Sequence, residues 1–172
     1  MKNLILSFSF FLVFSLIAAS LSHAQATANV TAEVVGTVSV DKIEDVNFGS
    51  IVQNSNPVIN PNAPGSSSQV GSSFTIGEFV VDSGGENDVI LNFSTSVAMS
   101  GPGNNLTFTT NLVGDADDAN QSTATQRTNG EQVTTAPNGA FYLWLGGDLG
   151  AIPANQDFGE YSGTFTITVT FP

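Results

Sequence analysis

The sequence lacks cysteine altogether, and its 172 residues carry one histidine and only three lysines or arginines, against 15 acidic side chains. Each scarcity excludes a chemistry. Without cysteine there is no disulfide, no thiolate nucleophile and no zinc site built on sulfur. The histidine, His23, and one of the cations, Lys2, both fall in an N-terminal stretch with the marks of a secretory signal. Lys2 precedes an apolar run from Leu4 to Leu21, interrupted only by Ser7, Ser9, Ser15 and Ser20, and small-residue cleavage sites follow at Ser22-His23-Ala24 and Ala24-Gln25-Ala26. Residues 1–24 are therefore expected to be a cleaved signal peptide; an uncleaved anchor is the alternative, because the run is near the lower limit for a membrane span. Cleavage after Ala24 leaves 148 residues with no histidine, two cations (Lys42 and Arg127) and a charge of −13. A Ser-His-Asp arrangement and a nucleic-acid partner are then both excluded, the second because phosphate binding needs Lys and Arg to displace counterions.

Long apolar runs and helical periodicity are also scarce beyond residue 24, and alternation with a period of two takes their place. From Ala26 the even positions read Ala26, Ala28, Val30, Ala32, Val34, Gly36, Val38 and Val40, and most odd positions between them are polar. At the other end Tyr161, Gly163, Phe165, Ile167, Val169 and Phe171 alternate with serine and threonine. Such alternation gives a strand one apolar and one polar face. Further strands are predicted over 46–52, 73–81, 89–99, 106–112 and 141–145. They are separated by turn sequences such as Ser83-Gly84-Gly85, Gly101-Pro102-Gly103 and Pro137-Asn138-Gly139. About seven short strands between Gly, Asn and Pro clusters predict an all-β, immunoglobulin-like or pilin-like antiparallel β-sandwich in one domain, residues 25–172. Two polar insertions, 54–71 and 114–138, are expected to be solvated loops on one rim.

Few groups remain that can do chemistry. Paired carboxylates are the only catalytic equipment left, at Asp115, Asp117 and Asp118 or at Asp157 and Glu160, and no surrounding motif supports a hydrolase. Solvated surface charge is the simpler account, so no enzyme is expected. Asp115, Asp117 and Asp118 are weak calcium candidates; the loop lacks the oxygen ligand and the glycine that an EF-hand needs at its fifth and sixth positions, where Ala119 and Asn120 stand. No cofactor is expected beyond that weak calcium case. In Phe141-Tyr142-Leu143-Trp144-Leu145 the alternation sends Phe141, Leu143 and Leu145 to the core and Tyr142 and Trp144 to the other face. There they are either packed under a loop or neighbouring subunit, or open as a ligand platform, packing being the commoner fate. Lys42, within Asp41-Lys42-Ile43-Glu44-Asp45, is read as an ordinary surface ion-pairing lysine.

Three stretches carry a family likeness. They are Asp45-Val46-Asn47-Phe48-Gly49-Ser50-Ile51, then Gly77 to Asp82 with Asp88 to Phe93, and most specifically Leu145-Gly146-Gly147-Asp148-Leu149 through Pro153-Ala154-Asn155-Gln156 to Gly159–Phe171. Together they resemble the bacterial domain-of-unknown-function family numbered 4402. That family has no assigned activity and is similar to the fimbrial subunits of chaperone–usher systems. Such subunits end in an alternating strand with an aromatic residue next to last, here Phe171, and a glycine fourteenth from the end, here Gly159. The resemblance implies an exported structural or adhesive protein, in the periplasm, at the cell surface or outside the cell. Its partners would be protein: copies of itself, other surface subunits, or a periplasmic chaperone. It meets the membrane only through its signal peptide, during export.

Ala28, Val30, Ala32 and Val34 would form the inward face of a segment donated to a neighbour by β-augmentation, with the first strand of a self-sufficient sandwich as the alternative. A free-standing binding module for carbohydrate, or for calcium-dependent adhesion, is the competing function.

Overall fold

The structure is a computed structural model that describes residues 36–172. The expected signal peptide and the segment Ala26–Val34 lie outside the described residues. Two antiparallel sheets make a sandwich-like all-β fold. The larger contains β1 (Ser39–Glu44), β3 (Gly77–Asp82), β9 (Ala140–Asp148), β6 (Leu106–Asp115) and β5 (Ser96–Met99) in that spatial order. The two-residue strands β2 (Val58–Ile59) and β7 (Thr125–Gln126) pair with β9 and β6. The smaller sheet runs β10 (Ile167–Thr170), β4 (Asp88–Phe93), β8 (Glu131–Thr134).

The alternation read in the sequence becomes the core directly. Phe79 and Val81 on β3, Val89 and Leu91 on β4, Leu106, Phe108 and Leu112 on β6, Phe141, Leu143 and Leu145 on β9 and Val169 on β10 are all buried between the sheets. β9 is the axis of the large sheet, with β3 along one edge and β6 along the other, so its backbone groups are spent on both sides. Burying this apolar area is the main force holding the sheets together.

Four expected features are corrected. The stretch 46–52 is not a strand: Asn47 makes one isolated bridge to Thr75, and Gly71 N–H binds Phe48 O, so the segment is strapped to its neighbour at single points. The stretch 89–99 is two strands, β4 in the small sheet and β5 in the large one. The apolar phase resumes in step after a single polar residue, Thr95, which is why the sequence reads as a single strand. The C-terminal stretch makes the same crossing beside it. Ser162 pairs with Ser100 next to β5, and Ile167–Thr170 pair with Phe93–Ile90 on β4. At the bend, Ser94 N–H donates to Thr166 O and Thr110 Oγ1 donates to Ser94 O.

The two polar insertions are the fourth correction, because they are built structure and not simply solvated loops. Ser55, Pro57, Ile59 and Pro61 are buried, and Ser68 and Val58 exchange backbone hydrogen bonds. The second insertion supplies β7, β8 and the 3-10 turns at Asp118–Thr123. The insertions also clasp each other. Asn62 Nδ2 donates to Gln121 O at 3.1 Å and Ala124 O at 2.7 Å, and Gln121 Nε2 returns a bond to Pro61 O at 2.9 Å. Amide side chains, read as solubilising, are here the hydrogen-bonding groups that let loop backbone be buried.

Candidate functional site

The bend shared by the two crossing segments leaves one side of the sandwich open. A groove of about 900 Å³ runs between the β1 end of the large sheet, with the segment 45–51 that follows it, and the stretch Gly159–Phe165. Its floor is apolar, set by Phe79, Val97, Phe108, Leu145 and Leu149. Aromatic contacts line it: Phe48 meets Phe108 edge-on with centroids 5.5 Å apart, and Phe165 lies between Phe79 at 5.7 Å and Phe93 at 6.3 Å, joining the two sheets.

The wall at Gly159–Phe165 is held in place by Tyr161. Its hydroxyl accepts from Gly103 N–H and Gln156 Nε2 and donates to Asp157 O at 3.0 Å. Gln156 Nε2 also reaches Asn104 O. The wall is thus tied to the turn before β6. Gly159 sits there at φ +142°, where a Cβ would lie 2.5 Å from Pro102 Cγ, so only glycine lets the wall meet this turn. Gly163, nearer the bend, is pressed on β5, where a Cβ would come within 2.6 Å of Ala98 O. Phe171 is half-buried against the core and its ring lies over Gly36. Gly159 and Phe171 therefore sit at the two ends of one segment, the first at the groove and the second beyond β10.

The remaining expected site residues lie elsewhere. Tyr142 and Trp144 are on the opposite face of β9, with rings 6.4 Å apart and nearly parallel. Trp144 is only 3 % exposed, packed with Val113 and Ala124 beneath the clasped insertions, and Ile76 and Tyr142 close the cluster. It is a core residue rather than an open platform. The acids of the same rim hold their own turn: Asp115 Oδ1 accepts from Asp117 N–H and Asn120 Nδ2, and Asp117 Oδ1 caps Ala119 N–H. Among the described residues no group of three or more carboxylates converges as a metal site. Burial, then Asp118 and then Glu44 push the Glu78 carboxyl above its ordinary value, Glu44 being its direct cross-strand partner.

Both cations among the described residues are paired. Lys42 Nζ binds Asp45 Oδ1 at 2.7 Å in an exposed pair at the groove mouth. Arg127 holds Glu131 at 3.0 Å and Gly114 O at 2.7 Å and lies over the Phe141 ring. Burial acts to raise the Glu131 carboxyl, but the Thr128 N–H and Arg127 outweigh it and hold that carboxyl below its ordinary value. Arg127, unremarked in the sequence, thus locks the second insertion onto the sandwich. The groove itself also went unread there, since it arises from where two alternating segments change sheets. A faint signal existed in Gly163, the one apolar-face position of the last strand without a side chain.

No curated protein matches this sequence. The family model described as "Domain of unknown function (DUF4402)" matches residues 38–171, which span the whole sandwich, the groove wall and the final strand. With that much of the chain matched, the protein belongs to the DUF4402 family.

Proposed function

We propose that this protein is an exported structural subunit of a fimbria-type surface assembly, held to its neighbours by β-strand addition. The observation that carries the reading is the groove between β1 and Gly159–Phe165: a slot with an apolar floor, lined by the rings of Phe48, Phe79, Phe108 and Phe165, at the side of the sandwich where, among the described residues, neither β1 nor β10 has a partner strand on its outer edge. A slot of this shape suits an extended segment that buries alternate side chains and pairs its backbone with a sheet edge. Ala26–Val34 of a second copy fits that description, with Ala28, Val30, Ala32 and Val34 on its apolar face and no proline. Small side chains match a slot whose floor is already filled by Phe48, Phe79 and Phe108. A binding-module role has less support, because Trp144 is covered and Asp115 and Asp117 accept hydrogen bonds within their own turn.

The test compares residues 25–172 with the same chain lacking Ala26–Val34. Concentration-dependent polymers are expected from the first by light scattering and none from the second. If both are monomers of equal stability at every concentration, strand donation is wrong.

A further inference from the structure

The two walls of the groove are fastened in different ways. The wall at 45–51 is stitched to the chain beside it: Asn47 and Thr75 exchange backbone hydrogen bonds of 3.1 and 2.8 Å, Gly71 N–H donates to Phe48 O at 2.8 Å, and Thr75 Oγ1 donates to Asp45 O at 2.6 Å. The wall at 159–165 has almost no such stitching. Of the residues between Gln156 and Thr166, only Ser162 has a backbone N–H bonded to another described residue, in its bridge to Ser100. Phe158, just before the wall, is 86 % exposed and gives it no hold. Backbone without a ladder, carrying few buried side chains, belongs to the least stable part of a fold.

What holds this wall is one side chain in one socket. The Tyr161 ring lies against Gly101, where a Cβ would come within 2.5 Å of Cδ1, and its hydroxyl reaches Gly103, where a Cβ would come within 2.9 Å of it. Gly101-Pro102-Gly103 therefore admits the ring only because two of its residues have no side chain. Inside the socket the hydroxyl accepts from Gly103 N–H and Gln156 Nε2 and donates to Asp157 O. The floor at this end of the groove is Val97 on β5 with Leu106 and Phe108 on β6, and all three are buried although they line it. Gly163 rests directly on that floor, where a Cβ would come within 2.6 Å of Val97 Cγ1. The loosely tied wall is thus a roof over apolar side chains.

We infer that residues 157–163 are a strap that opens and closes the β5–β6 end of the groove, with Tyr161 in its glycine socket as the latch and the wall at 45–51 as the fixed side. Closed, the strap keeps water from Val97, Leu106 and Phe108; released, it bares them to an apolar occupant. Opening breaks the bonds of one hydroxyl and one bridge and leaves both sheets paired, so an occupant that binds the bared floor shifts the strap toward its open arrangement. The inference concerns how the groove opens and is independent of what fills it.

The experiment locks the strap. The protein has no cysteine, so Ser100→Cys with Ser162→Cys gives one disulfide across the bridge, where a hydrogen-bonded antiparallel pair lies about 5.5 Å apart between Cα atoms, within disulfide reach. Residues 25–172 are studied below the concentration at which light scattering detects association, with Nile red as an uncharged apolar probe. The reduced form should bind the dye and the oxidised form should bind it at least about fivefold more weakly, because apparent affinity follows the open fraction. Tyr161→Phe, without the cysteines, should bind it about fivefold more tightly than the native chain, the change that one lost hydrogen bond makes in an opening equilibrium. In that variant the Ser100 and Ser162 amides should exchange faster by the same factor while those of Asn47 and Thr75 keep their rates. Dye binding indifferent to the disulfide, no dye binding in any form, or equal acceleration at both walls would overturn the strap. Should the strap fail while the chain still polymerises in the light-scattering test above, strand addition stands without a gate; should the chain never polymerise while oxidation excludes the dye, the strap stands without strand addition.

Discussion

β9 and β10 are written in the same alternating code and occupy opposite situations. β9 pairs along both edges, with β3 and with β6, and its Leu143 is wholly buried. Among the described residues β10 pairs along one edge only, and the segment leading into it, with half-buried Phe165, borders an open groove. The alternation decides which face of a strand is apolar; the neighbours decide whether its backbone is satisfied. A central strand stabilises the fold, and an edge with the same pattern and no protection is a place for another chain.

The sharpest way to break this comparison is to truncate both strands' side chains. Leu143→Ala should cost roughly 3 kcal/mol in urea unfolding, the loss typical of a fully buried leucine. Phe165→Ala removes a larger side chain and should nonetheless cost less, because the groove already exposes part of that ring to water. Equal or greater loss at Phe165 would mean that the groove is closed in solution.

The clasp over Trp144 sharpens the contrast between the covered and the open face. Asn62→Ala takes its donor from the Ala124 carbonyl and leaves the Gln121 carbonyl only the Ala124 N–H, and should cost about 1–2 kcal/mol. Trp144 is the sole tryptophan, so its fluorescence reports on the clasp directly. Acrylamide should quench it weakly in the native protein and more strongly in Asn62→Ala.

On the open face the corresponding fastening is Tyr161. Tyr161→Phe keeps the ring and removes the hydroxyl that joins Gly103, Gln156 and Asp157, at a cost of about 1 kcal/mol. Its signature should be local, with faster amide exchange at Gly103 and along 159–163 and none at β9.

The smallest expected effect lies at Glu78, which faces Glu44 across the β1–β3 ladder. Its raised carboxyl means that the folded state prefers it neutral; that contribution is complete below the ordinary carboxylate range and is lost as pH rises through the raised native value. Glu78→Gln should therefore stabilise the protein at pH 7 by roughly a few tenths of a kcal/mol, the scale of a relieved like-charge pair. The gain should fade as pH falls and native Glu78 takes up its proton. Glu131 supplies the opposite sign. Its lowered carboxyl contributes stability that is present at neutral pH and lost as pH falls through the native value, so thermal melts of Arg127→Met should lose most near neutral pH and least in acid.

Much of this was legible in the sequence. Alternation identified the core faces of β9 and β10, because a pleated strand sends successive side chains to opposite sides whatever surrounds it, and the strands at β3 and β6 were expected near where they lie. The glycine and proline clusters marked the turns at 83–85, 101–103 and 137–139, because those residues supply the backbone angles that tight turns need. Other features were invisible for equally physical reasons. Polar composition at 54–71 and 114–138 suggested solvent, yet Asn62 spends its amide on the Gln121 and Ala124 carbonyls and Gln121 on the Pro61 carbonyl. A phase of two persists when a strand leaves one sheet for another, so the break at Ser94–Thr95 and its counterpart at 163–166 leave only a polar Thr95 and a bare Gly163 in the apolar phase.

By itself, then, the sequence determined that this chain builds sheets, which faces are apolar, and that histidine and cysteine chemistry is absent after residue 24. Those properties follow from side-chain identity and local backbone geometry. Tertiary structure alone decided that Trp144 is covered, that the acids hold their own turn and that one side of the sandwich stands open. Each of those depends on which segments far apart in the chain come to lie together, and local pattern carries no record of that.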